Sequence, residues 1–389
     1  MARSQGRRAN PMILVGLGWV SSRALMLMVL AAVVLNGRPL RDALRGWDAA
    51  IYTRISQQGY RDPQEVAFFW GLPMLLRGLS RLGLDPALAG MAVALVCSAL
   101  ATLALMRIAS TGFGHRRRHQ PLTGSLAAVL WLVAPTTVFT TVAYTEAPFC
   151  AAAFWAWERA MNRRWGQAAV LAGLACTLRV SGLFLVAALV VMALFGNGTA
   201  ETKPRLWSSR IIDAVWMLIP TVVLLGYIFW LWQDTGSWRA WYDAQQAGWN
   251  RGFTRPLDAL VNTWHASDPA RWPDRPLVGR VFFIEMISMA LGLLTTIICL
   301  LRRRWAEATW VGLQVIALGT TYWYMSINRA LLLWFPFFVM VSALLTHPYQ
   351  GGRRSLRGPA TLVTGALLLV SVVGAVFWAW LFYTGQWAS

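Results

Sequence analysis

The chain of 389 residues is 57% hydrophobic and only 13% charged, which is far more apolar than a soluble domain. The formal net charge is +19, but the arginines form short clusters between apolar runs, where the positive-inside bias of membrane proteins expects them. These features exclude an ordinary soluble enzyme and give no reason to expect a nucleic-acid partner. They predict an all-α polytopic membrane protein, with residues 1–389 as a single integral membrane domain.

Apolar runs of about twenty residues, long enough to cross roughly 30 Å of hydrocarbon, recur along the chain. The first, near 11–35, follows a basic start and is too long for a signal peptide, so we expect a retained span with a cytoplasmic N-terminus. This span delivers residues 36–85 to the outer face. Within them, the stretch 65–83 is apolar but carries Arg77 and Arg81, and it predicts an interfacial helix.

The next spans follow the distribution of basic residues. A second span near 86–108 returns to the cytoplasm at the basic cluster 115–119, and a third near 121–141 leads outward before a short fourth. The stretch 165–195 has basic residues at both ends, so a single crossing would break the charge bias. We therefore expect two short re-entering helices, with their turn near 177–182.

The carboxy-terminal half repeats this pattern around one long polar loop. Further spans are expected near 211–232, 281–301, 305–324, 331–345 and 359–383. They bring the total to about eleven crossings. The outer loop 233–280 mixes arginines with aspartates, and either caps a cavity or is a solvated connector.

Ionisable side chains at membrane depth are costly, so each is a candidate for function. On the outer side these are Asp48, Arg54, Asp62, Glu65, Glu146, Arg179, Glu285 and Arg329. The cytoplasmic ends carry arginine and histidine but almost no acid. We therefore place any chemistry on the outer side.

Two carboxylates have both a catalytic and a structural interpretation. Asp48, beside Trp47 at the membrane boundary, could act as a general base on a hydroxyl if it is oriented and partly desolvated, or could cap the helix that begins at Ala49. Glu146 could act in the same site or could simply favour the start of the fourth span. The residues themselves leave both alternatives open.

Two arginines lie at membrane depth without an acidic neighbour in sequence, Arg179 and Arg329. A guanidinium can hold a phosphate through two parallel hydrogen bonds, and lipid phosphate is the anion most available at that depth. The pattern therefore favours anion ligands. The alternative is a structural pairing with Glu146 or Asp48.

Five segments in order resemble the motifs of one membrane enzyme family. They are "WDAAIYTRISQQGY" (47–60), "VAFFWGLPMLLR" (66–77), "APTTVFTTVAYTEAPF" (134–149), "LRVSGLFL" (178–185) and "INRALLLWFPFF" (327–338). They resemble the PIG-V-like mannosyltransferases of the GT-C superfamily. Trp70 and Leu72 depart from the family pattern, and no tyrosine follows Arg329. The arginine-rich, lysine-poor composition is typical of a GC-rich bacterial source.

The resemblance implies a GT-C-like helix bundle that moves mannose, with inversion, from a polyprenyl phosphate donor to an acceptor hydroxyl on the extracytoplasmic face of the cell membrane. Asp48 would be the base, Glu146 would orient the acceptor, the sugar or Arg179, and Arg179 and Arg329 would stabilise the leaving phosphate. The residues expected to bind substrate are Trp47, Tyr52, Tyr60 and Tyr144. The implied partners are the lipid-linked donor, a glycolipid or glycan acceptor and membrane lipids.

We expect neither a metal nor a cofactor beyond the donor. The four cysteines lie singly in apolar runs, and no D-x-D or G-x-G-x-x-G motif that would serve a nucleotide sugar stands on a suitable loop. Two other functions remain open: a lipid or solute transporter or flippase, and a non-catalytic partner of another glycosyltransferase. A transporter predicts inverted repeats, which the sequence does not display.

Overall fold

A computed structural model describes residues 10–111, 120–196, 206–350 and 354–388. All regular secondary structure within these ranges is helical, so the all-α prediction is confirmed. The predicted cytoplasmic cluster 115–119 and the chain start 1–9 lie outside the described residues.

The helices alternate between long apolar rods and short segments. The first nine are α1 (Pro11–Leu35), α2 (Leu40–Leu44), α3 (Asp48–Gln58), α4 (Gly71–Ser80), α5 (Pro86–Ser110), α6 (Pro121–Leu132), α7 (Glu146–Met161), α8 (Trp165–Cys176) and α9 (Ser181–Phe195). The others are α10 (Trp207–Val215), α11 (Leu218–Thr235), α12 (Ala240–Trp249), α13 (Pro256–Ala266), α14 (Leu277–Leu301), α15 (Trp305–Gly319), α16 (Ile327–Ala330), α17 (Phe335–Thr346) and α18 (Arg357–Thr384). Short 3₁₀ turns lie at Pro63–Ala67, Thr137–Thr140, Pro269–Arg271, Leu331–Leu333, His347–Tyr349 and Arg354–Leu356.

Five helical stretches of the described chain are long and apolar enough to cross a membrane: α1, α5, α10 with α11, α14 and α18. A sixth is possible if Ile327–Leu333 and Phe335–Tyr349, which meet at 70°, form one broken span. The chain is therefore a multi-pass membrane protein. The expected total of about eleven crossings is not confirmed, because α6, α8 and α9 are apolar but short.

The predicted third span, 121–141, is shorter than expected. Its helix ends at Leu132, and a 3₁₀ turn at Thr137–Thr140 follows. Pro135, which has no N–H to continue a helix, follows this end, and the buried Arg23 of α1 donates to the Oγ1 atoms of Thr137 at 2.7 Å and of Thr140 and Thr141 at 2.8 Å. These bonds hold the segment in a form that a continuous helix could not adopt.

The expected interfacial helix over 65–83 is also divided. Asp62 and Glu65 form a capping box around the 3₁₀ turn Pro63–Ala67, and α4 begins only at Gly71. The Gly71 N–H donates to the Thr177 carbonyl at 2.9 Å, and a Cβ on Gly71 would lie 2.5 Å from Thr177 Oγ1. The segment between α1 and α5 is thereby fixed against the break between α8 and α9.

The prediction of two helices within 165–195 is confirmed. α8 ends at Cys176 and α9 begins at Ser181, so the break lies where the turn was expected. A Cβ on Gly182 would lie 2.7 Å from Cys176 Cα, so only glycine permits the two helix ends to approach this closely. The break carries Arg179 to the site described next.

Candidate active site

Asp48 lies at the first position of α3, and Trp47 before it has φ 52, a backbone conformation that is costly for a bulky residue. The Asp48 N–H donates to Tyr144 Oη at 3.1 Å, and Oδ2 accepts from Arg329 Nη1 at 2.8 Å. The helix-capping alternative is not observed, because the cap position belongs to Trp47 and no side chain caps α3. The carboxylate instead faces a guanidinium.

Glu146 is the first residue of α7, and its side chain is fully buried. Its Oε1 lies 2.6 Å from Arg179 Nη1 and 3.7 Å from Arg329 Nη1. Its Oε2 is buried and has no hydrogen-bond partner in the described part of the chain. Glu146 therefore has both a favourable place at a helix N-terminus and an ion pair, and its carboxylate is enclosed by the protein.

Arg329 lies in the short helix α16, whose N-cap residue is Ser326 with φ 67. Glu285 of α14 fixes this turn by accepting the N–H of Ser326 at 3.0 Å and that of Asn328 at 2.9 Å. The Arg329 guanidinium also packs over the rings of Phe139 and Tyr144, with its Cζ 5.3 and 5.4 Å from their centroids. Glu285, a candidate from sequence, thus holds the turn that positions Arg329.

The four charged groups form one network, in which Arg329 joins Asp48 to Glu146 and Arg179 joins Glu146 from the other side. The structural alternative raised for the arginines, a pairing with Asp48 or Glu146, is therefore what the free protein shows. Such pairing also orients the carboxylates in a poorly solvated place.

Three members of the network, Asp48, Arg179 and Arg329, line a cleft of about 90 Å³, whereas the fully buried Glu146 is not part of its wall. Its walls include Tyr52, Tyr144, Phe68 and Phe69 from the first half of the chain, and Trp241, Gln245, Trp249 and Arg251 from the outer loop. Residues of the loop 233–280 therefore form one wall of the cleft. Burial raises the pKa of Tyr52, so its hydroxyl keeps its proton near neutral pH.

Two of the expected substrate-binding residues do not line this cleft. Trp47 is 40% exposed, and its indole donates to the Gln386 carbonyl at 3.0 Å. Tyr60 donates to the Phe68 carbonyl at 2.8 Å and so supports a residue of the wall.

Three further candidates stabilise the fold of that loop. Arg54 Nε lies 2.6 Å from Glu65 Oε1, and the Glu65 Oε2 accepts two backbone N–H groups, at Arg61 and Asp62. Asp62 accepts the Gln64 N–H at 2.9 Å. These contacts are local and lie outside the network of Asp48 and Glu146.

The sequence reasoning missed Arg251. This half-buried side chain lies in the cleft and donates to Gln245 Oε1 at 3.0 Å and to Ser326 Oγ at 3.3 Å. Burial lowers its pKa to about 10, which still leaves it charged at neutral pH. Nothing in sequence distinguishes it from the other arginines of the loop, because only the tertiary fold turns it inward.

No group of three or more His, Cys, Asp or Glu side chains in the described ranges is arranged to hold a metal ion. The expectation that the protein needs no metal remains a prediction.

Comparison with known proteins gives a family. The family model for mannosyltransferase (PIG-V) matches residues 28–236, more than half of the 389 residues. This chain belongs to the PIG-V mannosyltransferase family. The match contains Asp48, Glu146 and Arg179, whereas Arg251 and Arg329 lie beyond it.

Two relatives of this PIG-V family member are the GPI alpha-1,6-mannosyltransferase 2 proteins of Rattus norvegicus and Mus musculus. The rat protein is 31% identical over 154 residues, which is 38% of this chain and 31% of the relative. The mouse protein is 32% identical over 149 residues, which is 37% and 30%. The chain therefore matches about a third of the length of these relatives.

Among solved structures, the crystal structure of the Archaeoglobus fulgidus oligosaccharyltransferase in complex with Zn and sulfate is similar, with a TM-score of 0.44 and 14% identity. The similarity covers 87% of this chain and 48% of that chain.

Proposed function

We propose that this protein is a membrane glycosyltransferase that moves mannose from a polyprenyl phosphate donor to an acceptor hydroxyl. The observation that carries the proposal is the cleft lined by Asp48, Arg179 and Arg329, in which Asp48 pairs with Arg329 and the buried Glu146 holds Arg179. Membership of a mannosyltransferase family supports mannose as the sugar that is transferred. The apolar, multi-pass chain supports a donor that is anchored in lipid.

In the proposed reaction, a carboxylate oxygen of Asp48 takes the proton of the acceptor hydroxyl. The hydroxyl oxygen forms a bond to the anomeric carbon while the bond from that carbon to the donor's phosphate oxygen breaks. The phosphate leaves with the bonding electrons and gains one negative charge, and the configuration of the sugar inverts. Arg329 orients the Asp48 carboxylate before the step, because the two share a bond of 2.8 Å.

Glu146 and Arg179 have a supporting role in this proposal. The Oε1 of Glu146 holds Arg179 in place, and because this side chain is fully buried and does not line the cleft, it orients the substrates through Arg179. Arg179, on the wall of the cleft, stabilises the charge that develops on the phosphate. The substrates therefore meet between Asp48 and the arginines.

The deciding experiment is transfer of radiolabelled mannose from polyprenyl-phosphate-mannose in membranes that contain wild type or Asp48→Asn. The amide cannot take the proton, so we expect activity to fall by a factor of about 10² to 10⁴ at equal protein level. Asp258→Asn, at an exposed position of the outer loop, is the matched control and should behave as wild type. Full activity of Asp48→Asn would overturn the base assignment.

A wild type that stays silent with several glycolipid and glycan acceptors would instead favour a transporter or a non-catalytic partner. A lipid-transport assay then distinguishes the transporter from the non-catalytic partner. A flippase moves labelled lipid across the bilayer of a reconstituted vesicle without forming a product, whereas a partner protein does neither alone.

We also propose that transfer needs no added metal, since both carboxylates of the network already face guanidinium groups. Incubation with EDTA followed by assay in its presence should leave the initial rate unchanged. Activity that disappears with EDTA and returns with Mg²⁺ or Mn²⁺ would contradict this.

A further inference from the structure

Arg251 differs from the other two arginines of the cleft in having no carboxylate partner. Arg179 and Arg329 each lie within 2.8 Å of a carboxylate oxygen, whereas no carboxylate of the described residues pairs with Arg251. Its Nη atoms donate to the neutral acceptors of Gln245 and Ser326, and its Nε is buried without a partner. A guanidinium held in this way is a binding site for an anion that the free protein lacks.

A second observation points in the same direction. Arg251 and Arg329 both donate to Oγ of Ser326, at 3.3 and 2.8 Å. Two guanidinium groups on one hydroxyl repel each other where solvent is scarce. An anion between them would remove this repulsion and use the free Nε of both side chains, since Nε of Arg329 is also buried without a partner.

The position of Arg251 indicates the kind of anion. A second cavity of about 340 Å³ adjoins the cleft, and the two share Arg179, Val180, Trp241, Gln245 and Arg251 in their walls. Beyond these residues the wall of the second cavity is mixed: polar side chains alternate with an apolar part formed by Phe184 of α9, Ala317 and Leu318 of α15, and Phe253 of the loop 233–280. A charged head at Arg251 and a hydrocarbon chain beside Phe184 and Leu318 match an amphiphile.

We propose that Arg251, together with Arg329, binds the phosphodiester of an isoprenoid-phosphate sugar donor, whose isoprenoid chain lies in the cavity between α9 and α15. This inference rests on the proposed function and assigns the donor side of the site. The acceptor then reaches Asp48 from the opposite, Tyr144 side of the cleft.

Charge supports a phosphodiester in particular. Asp48 and Glu146 pair with Arg329 and Arg179, and Glu285 is turned to the backbone N–H groups of Ser326 and Asn328, so Arg251 is the guanidinium of the cleft that no carboxylate contacts and that can face the one negative charge of the donor. When Asp48 takes a proton, it releases Arg329 from its ion pair. At the same time the departing phosphate gains one negative charge, which Arg329 is then free to neutralise. The total charge of the site is unchanged through the step.

The test measures binding apart from catalysis. Purified full-length protein in detergent is titrated with polyprenyl phosphate, which carries the isoprenoid chain and phosphate of the donor and is the product that the proposed reaction releases. The unfolding temperature and dissociation constant are recorded for wild type, Arg251→Gln and Arg255→Gln. Loss of charge-assisted bonds should raise the dissociation constant of Arg251→Gln about tenfold or more. The control Arg255→Gln alters an exposed arginine of the same loop and should bind as wild type.

Further arms identify the ligand. Phosphatidic acid and inorganic phosphate should stabilise wild type much less than polyprenyl phosphate does; equal stabilisation by either would overturn the isoprenoid assignment. Ala317→Trp, which fills the second cavity beside Leu318, should weaken the binding of polyprenyl phosphate. This variant also tests the proposal if Arg251→Gln does not fold, because unchanged binding of polyprenyl phosphate by Ala317→Trp would contradict it.

Kinetics separate the two proposals. If wild type transfers mannose and Arg251→Gln raises the KM for the donor, both stand. If wild type transfers mannose but Arg251→Gln and wild type have the same donor KM and dissociation constant, only the donor site is wrong. If no transfer occurs but polyprenyl phosphate still binds through Arg251, the proposed reaction fails while the lipid site remains.

Discussion

Asp48 and Glu146 share a local arrangement that neither of their motifs reveals, because each is the first residue of a helix and each faces a guanidinium. Sequence identifies both acids and both arginines, since charged residues at membrane depth are rare. It cannot assign the pairs, because Arg329 is separated from Asp48 by 281 positions. Arg251 escapes sequence reasoning altogether, as its loop contains other arginines of similar context.

At this scale we predict that Glu146→Gln destabilises the protein by roughly 3 kcal/mol, because it leaves two buried guanidinium groups with one carboxylate. The expected readout is a lower unfolding temperature in detergent together with a loss of transfer. Asp243→Asn removes an exposed acid that lies 3.7 Å from Arg239 and should cost less than about 1 kcal/mol. Equal unfolding temperatures for the two variants would show that the buried network contributes little.

The segment between α6 and α7 shows how a broken element positions the site. Arg23 of α1 donates to three threonine hydroxyls and to the Thr140 carbonyl at 3.0 Å, so four polar groups of the broken segment have a buried donor. The same segment ends with Tyr144 and Thr145, which line the cleft, and with Glu146, which pairs with Arg179 of its wall. Arg23 is thus a positioning residue, and sequence reasoning missed it because it treated 121–141 as one continuous span.

We predict that Arg23→Met lowers stability by roughly 3 kcal/mol and also impairs transfer, since several buried acceptors lose their donor at once. Arg23→Lys should rescue little, because an ammonium cannot reproduce the planar fork that serves three hydroxyls. Both variants can be compared by thermal unfolding with Arg41→Met, which removes an exposed arginine and should remain near wild type. Rescue by lysine to wild-type stability would mean that charge alone, and not the fork, holds this segment.

For the whole molecule, the fold class is predictable because apolar composition and repeated long runs leave no alternative to a helical membrane protein. The number of crossings is not, because counting assumes continuous helices of about twenty residues. Here α6, α8 and α9 are 12, 12 and 15 residues long, and their ends are held by tertiary contacts such as those of Arg23 and Gly71. Sequence periodicity and hydropathy carry no information about such tertiary contacts, so they cannot predict where these helices end.

Orientation in the membrane is the remaining prediction at this scale, and it follows from the distribution of arginines. We expect the N-terminus and the segment 347–358 to face the cytoplasm, and the cleft with the loop 233–280 to face the opposite side. The test uses single added cysteines at exposed positions, Asp234→Cys in the outer region and Ser355→Cys in the cytoplasmic segment. The native cysteines Cys150, Cys176 and Cys299 are buried, which limits background labelling.

A membrane-impermeant maleimide added to intact cells should label Asp234→Cys and leave Ser355→Cys unlabelled until the membrane is opened with detergent. The chain without an added cysteine is the control for background, because Cys97 is only partly buried. The reverse pattern would place the cleft on the cytoplasmic side. In that case the acceptor would have to reach Asp48 from the cytoplasm, and a donor with its sugar on the outer leaflet could not enter the site.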